Sequence, residues 1–170
     1  MHNMSSLEYS FLSNELSTKL VGKYFSRVRK LSEDTYRIKI GDYELLCQLG
    51  IRLHITKYIE DPKLSDQFAE KVSKELDNAR VKTVRQINND RIISIDFERG
   101  SIIFEMFGDG NVIFVKDDLI NCASKYEKWA DREIKVGLPY KAPKASTSSK
   151  IEYTDRYIIV CMMKLPLGKD

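Results

Sequence analysis

Histidine and cysteine are scarce in this chain: His2 and His54 are the only histidines, and Cys47, Cys122 and Cys161 the only cysteines. The cysteines are odd in number, widely spaced and form no C-x-x-C, so neither a structural zinc site nor a disulfide framework is encoded. Buried thiols in a reducing cytoplasm are the expectation. No run approaches the roughly 18 consecutive apolar residues of a membrane-spanning helix. The opening MHNMSSLEYS has no apolar core of the kind a secretory signal needs. Glycine-rich phosphate loops are missing too. Gly108-Asp109-Gly110 is too short for one and reads as a hairpin turn, where glycine supplies positive φ. No Ser/His/Asp or Cys/His spacing suggests nucleophilic catalysis, and no cofactor or metal is implied.

What is present is enough for one sizeable domain, or a domain with a fragment of another: 170 residues, 42% of them hydrophobic and 31% charged. The net charge of +3 argues weakly for a polyanionic partner, because a uniformly basic nucleic-acid binder is usually more extreme. A local basic face remains open.

The segment SSLEYSFLSNELSTKLVG carries Leu7, Phe11, Leu12, Leu16 and Leu20 at helical spacing. Ser5 and Glu8 form a capping box ahead of it, and Gly22 is a natural stop. The period then changes from 3.6 to 2. KYFSRVRKL, TYRIKI, YELLCQL and RLHIT read as a four-strand antiparallel meander, since their short connections leave no room for crossover helices. A second amphipathic helix follows in SDQFAEKVSKELDNA, with Phe68, Val72 and Leu76 inward. Four more strands come next, in RVKTVRQIN, RIISIDFE, SIIFEMF and NVIFVK, and LINCAS offers a fifth. Helix, sheet, helix, sheet predicts an α+β fold: a two-sheet antiparallel β-sandwich with two flanking helices near residues 5–20 and 65–77. An intertwined barrel is the alternative. The domain is expected over 1–124. The polar, proline- and serine-bearing stretch 125–150 reads as a linker. Residues 151–170 read as the start of a truncated helical domain, with an apolar face around Tyr157 to Met163.

Two polar patterns stand out. Arg52, His54 and Thr56 alternate with Leu53 and Ile55, so they share one strand face. They form either the solvated side of a half-buried strand or a patch of donors for a phosphate or a nucleotide edge. Asp90-Arg91 follows Asn88-Asn89 directly before a strand. It is either the exposed end of a hairpin turn or a site. Glu8 has its own structural role as the helix cap.

The order of the pieces is more specific than any one of them. SSLEYSFLSNEL, LVGKYFSRVRKL, GIRLHIT, a proline with an F-x-x-x-V-x-K-x-L helix, QINNDRI and FEMFGDGNVIFVKDD follow one another. Over about Ser5 to Asp118 this series resembles the N-terminal domain of the NFACT family, the ribosome-associated quality-control factors called RqcH in prokaryotes and formerly described as fibronectin-binding protein A-like. VGLPYKAP and KLPLGKD resemble the family's following segment and the start of its helix-hairpin-helix region, and the wording resembles archaeal members.

The resemblance implies a sandwich like the N-terminal domain of MutM-type DNA glycosylases. It also implies a cytoplasmic, non-enzymatic role: binding the large ribosomal subunit with its stalled peptidyl-tRNA, recruiting tRNA, and supporting C-terminal tailing of the nascent chain. The family's Asp-Arg pair falls on Asp90 and Arg91, its acidic first-helix residue on Glu8 (often Asp elsewhere, one methylene shorter), and its Arg-x-His-x-Thr strand on Arg52, His54 and Thr56. These six are the expected RNA-binding residues. Two rivals are weaker. A glycosylase needs an N-terminal proline amine, and here Met1 is followed by His2. A fibronectin-binding adhesin would carry an export signal, which the opening residues lack.

Overall fold

In a computed structural model, residues 3–57 and 64–144 are described, and the structural statements below concern these. The expected helix at 151–170, with Cys161, lies outside them. Helix α1 (Ser6–Leu20) starts where the Ser5 hydroxyl accepts from the Glu8 amide and the Glu8 carboxylate accepts from the Ser5 amide. Its inward face is Tyr9, Leu12, Leu16 and Leu20. Leu7 and Phe11, expected on the apolar face, are instead 65% exposed. At about 100° per residue they stand opposite Tyr9 and Leu16, so the helix carries apolar residues on both sides.

The next four strands, β1 (Phe25–Ser32), β2 (Thr35–Ile40), β3 (Tyr43–Gln48) and β4 (Arg52–Thr56), form one antiparallel sheet in sequence order. Helix α2 (Gln67–Glu75), capped by Asp66, lies against β1. Then β5 (Val81–Gln86), β6 (Ile92–Phe97), β7 (Gly100–Glu105), β8 (Asn111–Lys116) and β9 (Leu119–Ala123) form a second antiparallel meander. LINCAS therefore does supply a strand.

The two sheets share one core with both helices, and the α+β sandwich is the observed fold. Phe25 meets Phe97 edge-to-face at 5.7 Å, and Tyr36 meets Phe68 at 5.6 Å. Phe68, Val72 and Leu76 of the second helical segment are buried as expected. The sheets join through main chain beside β1 and β5, where Phe25 N donates to Ala79 O and Val81 N to Lys23 O, each at 2.8 Å. They also touch where the β3–β4 turn meets the β7–β8 turn. There a Cβ on Gly50 would stand 2.3 Å from the Gly108 carbonyl oxygen, and one on Gly110 would stand 2.3 Å from the Gly50 nitrogen. Both glycines have positive φ, so the contact excludes every side chain twice over, by space and by backbone conformation.

Residues 125–144, which composition suggests as linker, run as a strap over the outer face of the second sheet. The strap includes a small hairpin of β10 (Glu127–Lys128) and β11 (Glu133–Ile134). Ile134 and Tyr140 cover Ile92, Ile103 and Ile113. Arg132 forks onto Glu105 through two hydrogen bonds of 2.7 and 2.8 Å, and the Tyr140 hydroxyl donates to the same carboxylate at 2.6 Å. The physical reason is the carboxylate itself: Glu105 sits in a buried strand position and needs charged and polar partners. The uncovered part of that outer face is polar. Thr83, Arg85, Ser94 and Ser101 all donate to Asp96. Burial alone would raise the Asp96 carboxyl, but these bonds outweigh it and hold the group below the usual aspartate value.

Two outcomes follow. Arg132→Ala should cost about 3–5 kcal/mol in urea unfolding, because it strands a buried charge, and pairing it with Glu105→Gln should recover most of the loss. Asp96→Asn should destabilise by about 1.5–3 kcal/mol near neutral pH. Since the folded value of Asp96 is depressed, its contribution is full above the unfolded value near ~3.9 and is lost as pH falls through the folded one. The gap between wild type and variant should therefore narrow in unfolding curves taken below about pH 4.

Candidate functional site

The turn between β5 and β6 is tight because two asparagines accept left-handed backbone: Asn88 at φ 58° and Asn89 at φ 52°. Asp90 N closes it onto Ile87 O at 3.0 Å. The Asp90 carboxylate accepts from Arg91 N at 2.7 Å, and Arg91 O accepts from Met106 N at 2.8 Å. Arg91 is thus pinned at its amide and its carbonyl, while its side chain is left to other work. Among the described residues its guanidinium has no ion pair and no hydrogen bond. Both Asp90 and Arg91 are half-buried rather than exposed as expected. The tip of the turn, Asn88 and Asn89, is exposed, while Asp90 rests beside the first turn of α1.

Gln86 makes that connection. Its side-chain nitrogen donates to Ser6 O at 2.9 Å and to Asp90 O at 2.8 Å, tying the start of α1 to the turn 80 residues further on. Glu8 stands in the same first turn, with one carboxylate oxygen held by Ser5 N at 2.8 Å. Tyr9 follows on the buried face of α1, and its fully buried hydroxyl has no hydrogen-bond partner among the described residues. Burial pushes this phenol well above its usual range, the Cys47 thiol and Glu8 add to the effect, and the Arg91 charge opposes it. Gln86 thus joins the turn that holds Asp90 and Arg91 to the first turn of α1, which holds Glu8.

Arg52, His54 and Thr56 do not join them. They sit on β4, an edge strand, opposite Gln48, Leu46 and Glu44. Leu53 between them is wholly buried in the core, so the three face the outer side of the first sheet. Arg52 is exposed there, and His54 places Nδ1 3.1 Å from Ile55 O. The six residues form two surfaces rather than one. Gln86 and Tyr9 were not singled out from sequence. Gln86 is one glutamine two residues before an asparagine turn, and its two carbonyl partners come from different elements, so no local pattern exposes it.

The cysteines are as inert as expected where they are described. Cys47 is fully buried 3.8 Å from the Met106 sulfur, and burial drives its thiol far up. Among the described residues no cluster of His, Cys, Asp and Glu could hold a metal ion.

Residues 9–161 match the model of a family described as NFACT N-terminal and middle domains. The archaeal Rqc2 homolog aRqcH of Methanocaldococcus jannaschii is 37% identical over 111 residues, which cover 61% of this chain and 16% of that protein. The human ribosome quality control complex subunit NEMF is 31% identical over 121 residues, 64% of this chain and 11% of that one. The chain thus spans well under a fifth of the length of these relatives. Among solved structures, the N-terminal domain of the fibronectin-binding protein PavA from Streptococcus pneumoniae superposes with a TM-score of 0.72 at 21% identity, covering 85% of this chain and 66% of that one. The N-terminal part of a fibronectin/fibrinogen-binding protein from Streptococcus suis gives 0.76 at 22%, covering 85% and 62%. At that identity the likeness is one of fold.

Gln86→Leu should remove the shared donor of Ser6 O and Asp90 O. It should lower stability by about 1 kcal/mol and speed amide exchange at Asp90 and Arg91 while leaving Val84 and Ile95 protected, as hydrogen-exchange mass spectrometry or NMR would read.

Proposed function

The chain belongs to the NFACT family, and from that premise we propose that its sandwich is an RNA-gripping module, without catalysis of its own, of a ribosome-associated quality-control factor. In this reading it binds tRNA and the large ribosomal subunit carrying a stalled peptidyl-tRNA, in the cytoplasm, and supports C-terminal tailing of the nascent chain. The observation that carries the reading is the state of Arg91. A half-buried guanidinium with no partner among the described residues, on a backbone held at both ends, is a preorganised donor fork for an anionic or base-edge acceptor. Asp90 and Glu8 beside it supply acceptors for a ribose hydroxyl or an exocyclic amine, the groups an RNA offers beyond its phosphates. The relatives named as ribosome quality control subunits support the same direction. Arg52, His54 and Thr56 would contact a second stretch of RNA from the outer face of the first sheet.

Arg91→Ala removes no side-chain hydrogen bond or ion pair among the described residues, so thermal stability should stay within about 0.5 kcal/mol of wild type. Recruitment of tRNA to purified large subunits by the full-length protein should fall about ten- to a hundredfold, the worth of a charge-assisted contact. Undiminished recruitment, or a large drop in melting temperature, would sink the assignment. A fibronectin reading has only the shared fold of the streptococcal proteins behind it, and shared fold does not carry function.

A further inference from the structure

Arg91 lies between two residues that different parts of the molecule hold. Asp90, before it, is tied through Gln86 to the start of α1. Ile92, after it, is wholly buried in a small cluster with Ile103, Ile113 and Ile134 of the strap, and Tyr140 of the strap packs against that cluster. Ile92 is also the cross-strand partner of Glu105, and the next residue, Met106, donates its amide to the Arg91 carbonyl at 2.8 Å. Among the described residues Glu105 takes its side-chain hydrogen bonds from the strap alone, from Arg132 and Tyr140. The Arg132 and Glu105 side chains are 6% and 3% exposed, so this fastening is sheltered from water. Arg132 also donates to the Lys141 carbonyl at 2.9 Å, and Trp129 lies 4.4 Å from its guanidinium. The strap is secured separately to β9, where main-chain bonds join Ile120 to Gly137 and Leu138. The Arg132–Glu105 fork is therefore the fastening beside Arg91, two strands away from the other one.

We propose that Arg132 and Tyr140 are positioning residues for Arg91: seated on Glu105, the strap holds Ile92 and Met106 in place and so sets how the Arg91 guanidinium is presented to RNA. Adjacent residues of an extended chain point to opposite faces. Ile92 is clamped under the strap, so Arg91 is turned to the other face, the one on which Ile93 and Ile95 enter the main core. If the fork is lost, Glu105 needs water, the strap lifts at this end, and Ile92 and the Met106 amide lose the cover that fixes them. The bonds at β9 remain, so the loosening stays local. The consequence for RNA rests on the reading of Arg91 given above; the mechanical link from strap to Arg91 does not.

The test uses Arg132→Ala together with Glu105→Gln in the full-length protein, a pair that removes the fork and leaves no charge buried, so most of the stability returns. Amide hydrogen exchange without RNA comes first. The Arg91 and Met106 amides should exchange about tenfold faster than in wild type, while Ile95 and Ile120 keep their protection. Recruitment of tRNA to purified large subunits comes second. It should fall about three- to tenfold in the double variant, and the fall should vanish where Arg91→Ala is already present. A strap with a merely structural role would instead let recruitment return with stability, or would add its loss to that of Arg91→Ala. Wild-type protection at Arg91 and Met106 with the fork removed would overturn the proposal. So would unchanged recruitment by the double variant of a protein in which Arg91→Ala abolishes it. If Arg91→Ala itself leaves recruitment untouched, the RNA reading fails, and the exchange data alone decide whether the strap positions Arg91. Should the double variant not fold, Tyr140→Phe removes one bond to Glu105, keeps the ring, and carries both measurements with an expected change of about twofold.

Discussion

The two sheets of this core touch without a side chain between them at Gly50 and Gly110, and the rest of the fold is built around that contact. The contact of these two turns sets how closely the ends of β3, β4, β7 and β8 approach. The main-chain bonds of Phe25 and Val81 to Ala79 and Lys23 set the other seam. Between these joints the aromatic pairs Phe25–Phe97 and Tyr36–Phe68 fill a space of fixed width. A side chain at either glycine would have to push whole turns apart, because its neighbours are backbone atoms rather than flexible tips. The helices are then fitted to the opening that remains, α1 along β5 and α2 along β1.

The candidate site at Arg91 depends on that geometry at one remove. Its parts come from the first helical turn and from a hairpin nearly half the chain away, and one glutamine amide bridges them. Asn88 and Asn89 turn the chain within the four residues that separate Ile87 from Ile92. One Asp90 carboxylate oxygen accepts from the next amide, and Met106 N donates to the carbonyl of Arg91. Each of these bonds fixes backbone, and together they leave one guanidinium without a hydrogen bond or ion pair among the described residues.

Much of this was legible from residues alone, and the exceptions share a cause. The switch between periods of 3.6 and 2 located both helices and the nine strands of the two sheets, because each of those elements buries one face. It misjudged Leu7 and Phe11, since a helix with apolar residues on both sides gives spacing no way to choose between them. It also placed Arg52, His54 and Thr56 on one face correctly, but could not say that this face looks away from Glu8 and Arg91. That depends on how the sheet stands against α1. The strap was unreadable for a related reason: its anchors are a few residues, Arg132, Ile134 and Tyr140. What they answer is the need of Glu105, 27 residues earlier in the case of Arg132. The Asp90-Arg91 pair is marked in the sequence only as an odd dipeptide and by its family likeness; that the Arg91 guanidinium has no ion pair or hydrogen bond among the described residues is a fact of three dimensions.

The strap has an optical consequence. The chain contains a single tryptophan, and Trp129 lies in the strap with the Arg132 guanidinium 4.4 Å from its ring centre. The same guanidinium holds Glu105, so the indole senses the bond that fastens the strap to the sheet. The core chromophores are tyrosine and phenylalanine. Indole emission and far-ultraviolet circular dichroism thus observe two different parts of the molecule, and any lag between them in a denaturation curve measures how independently the strap lets go.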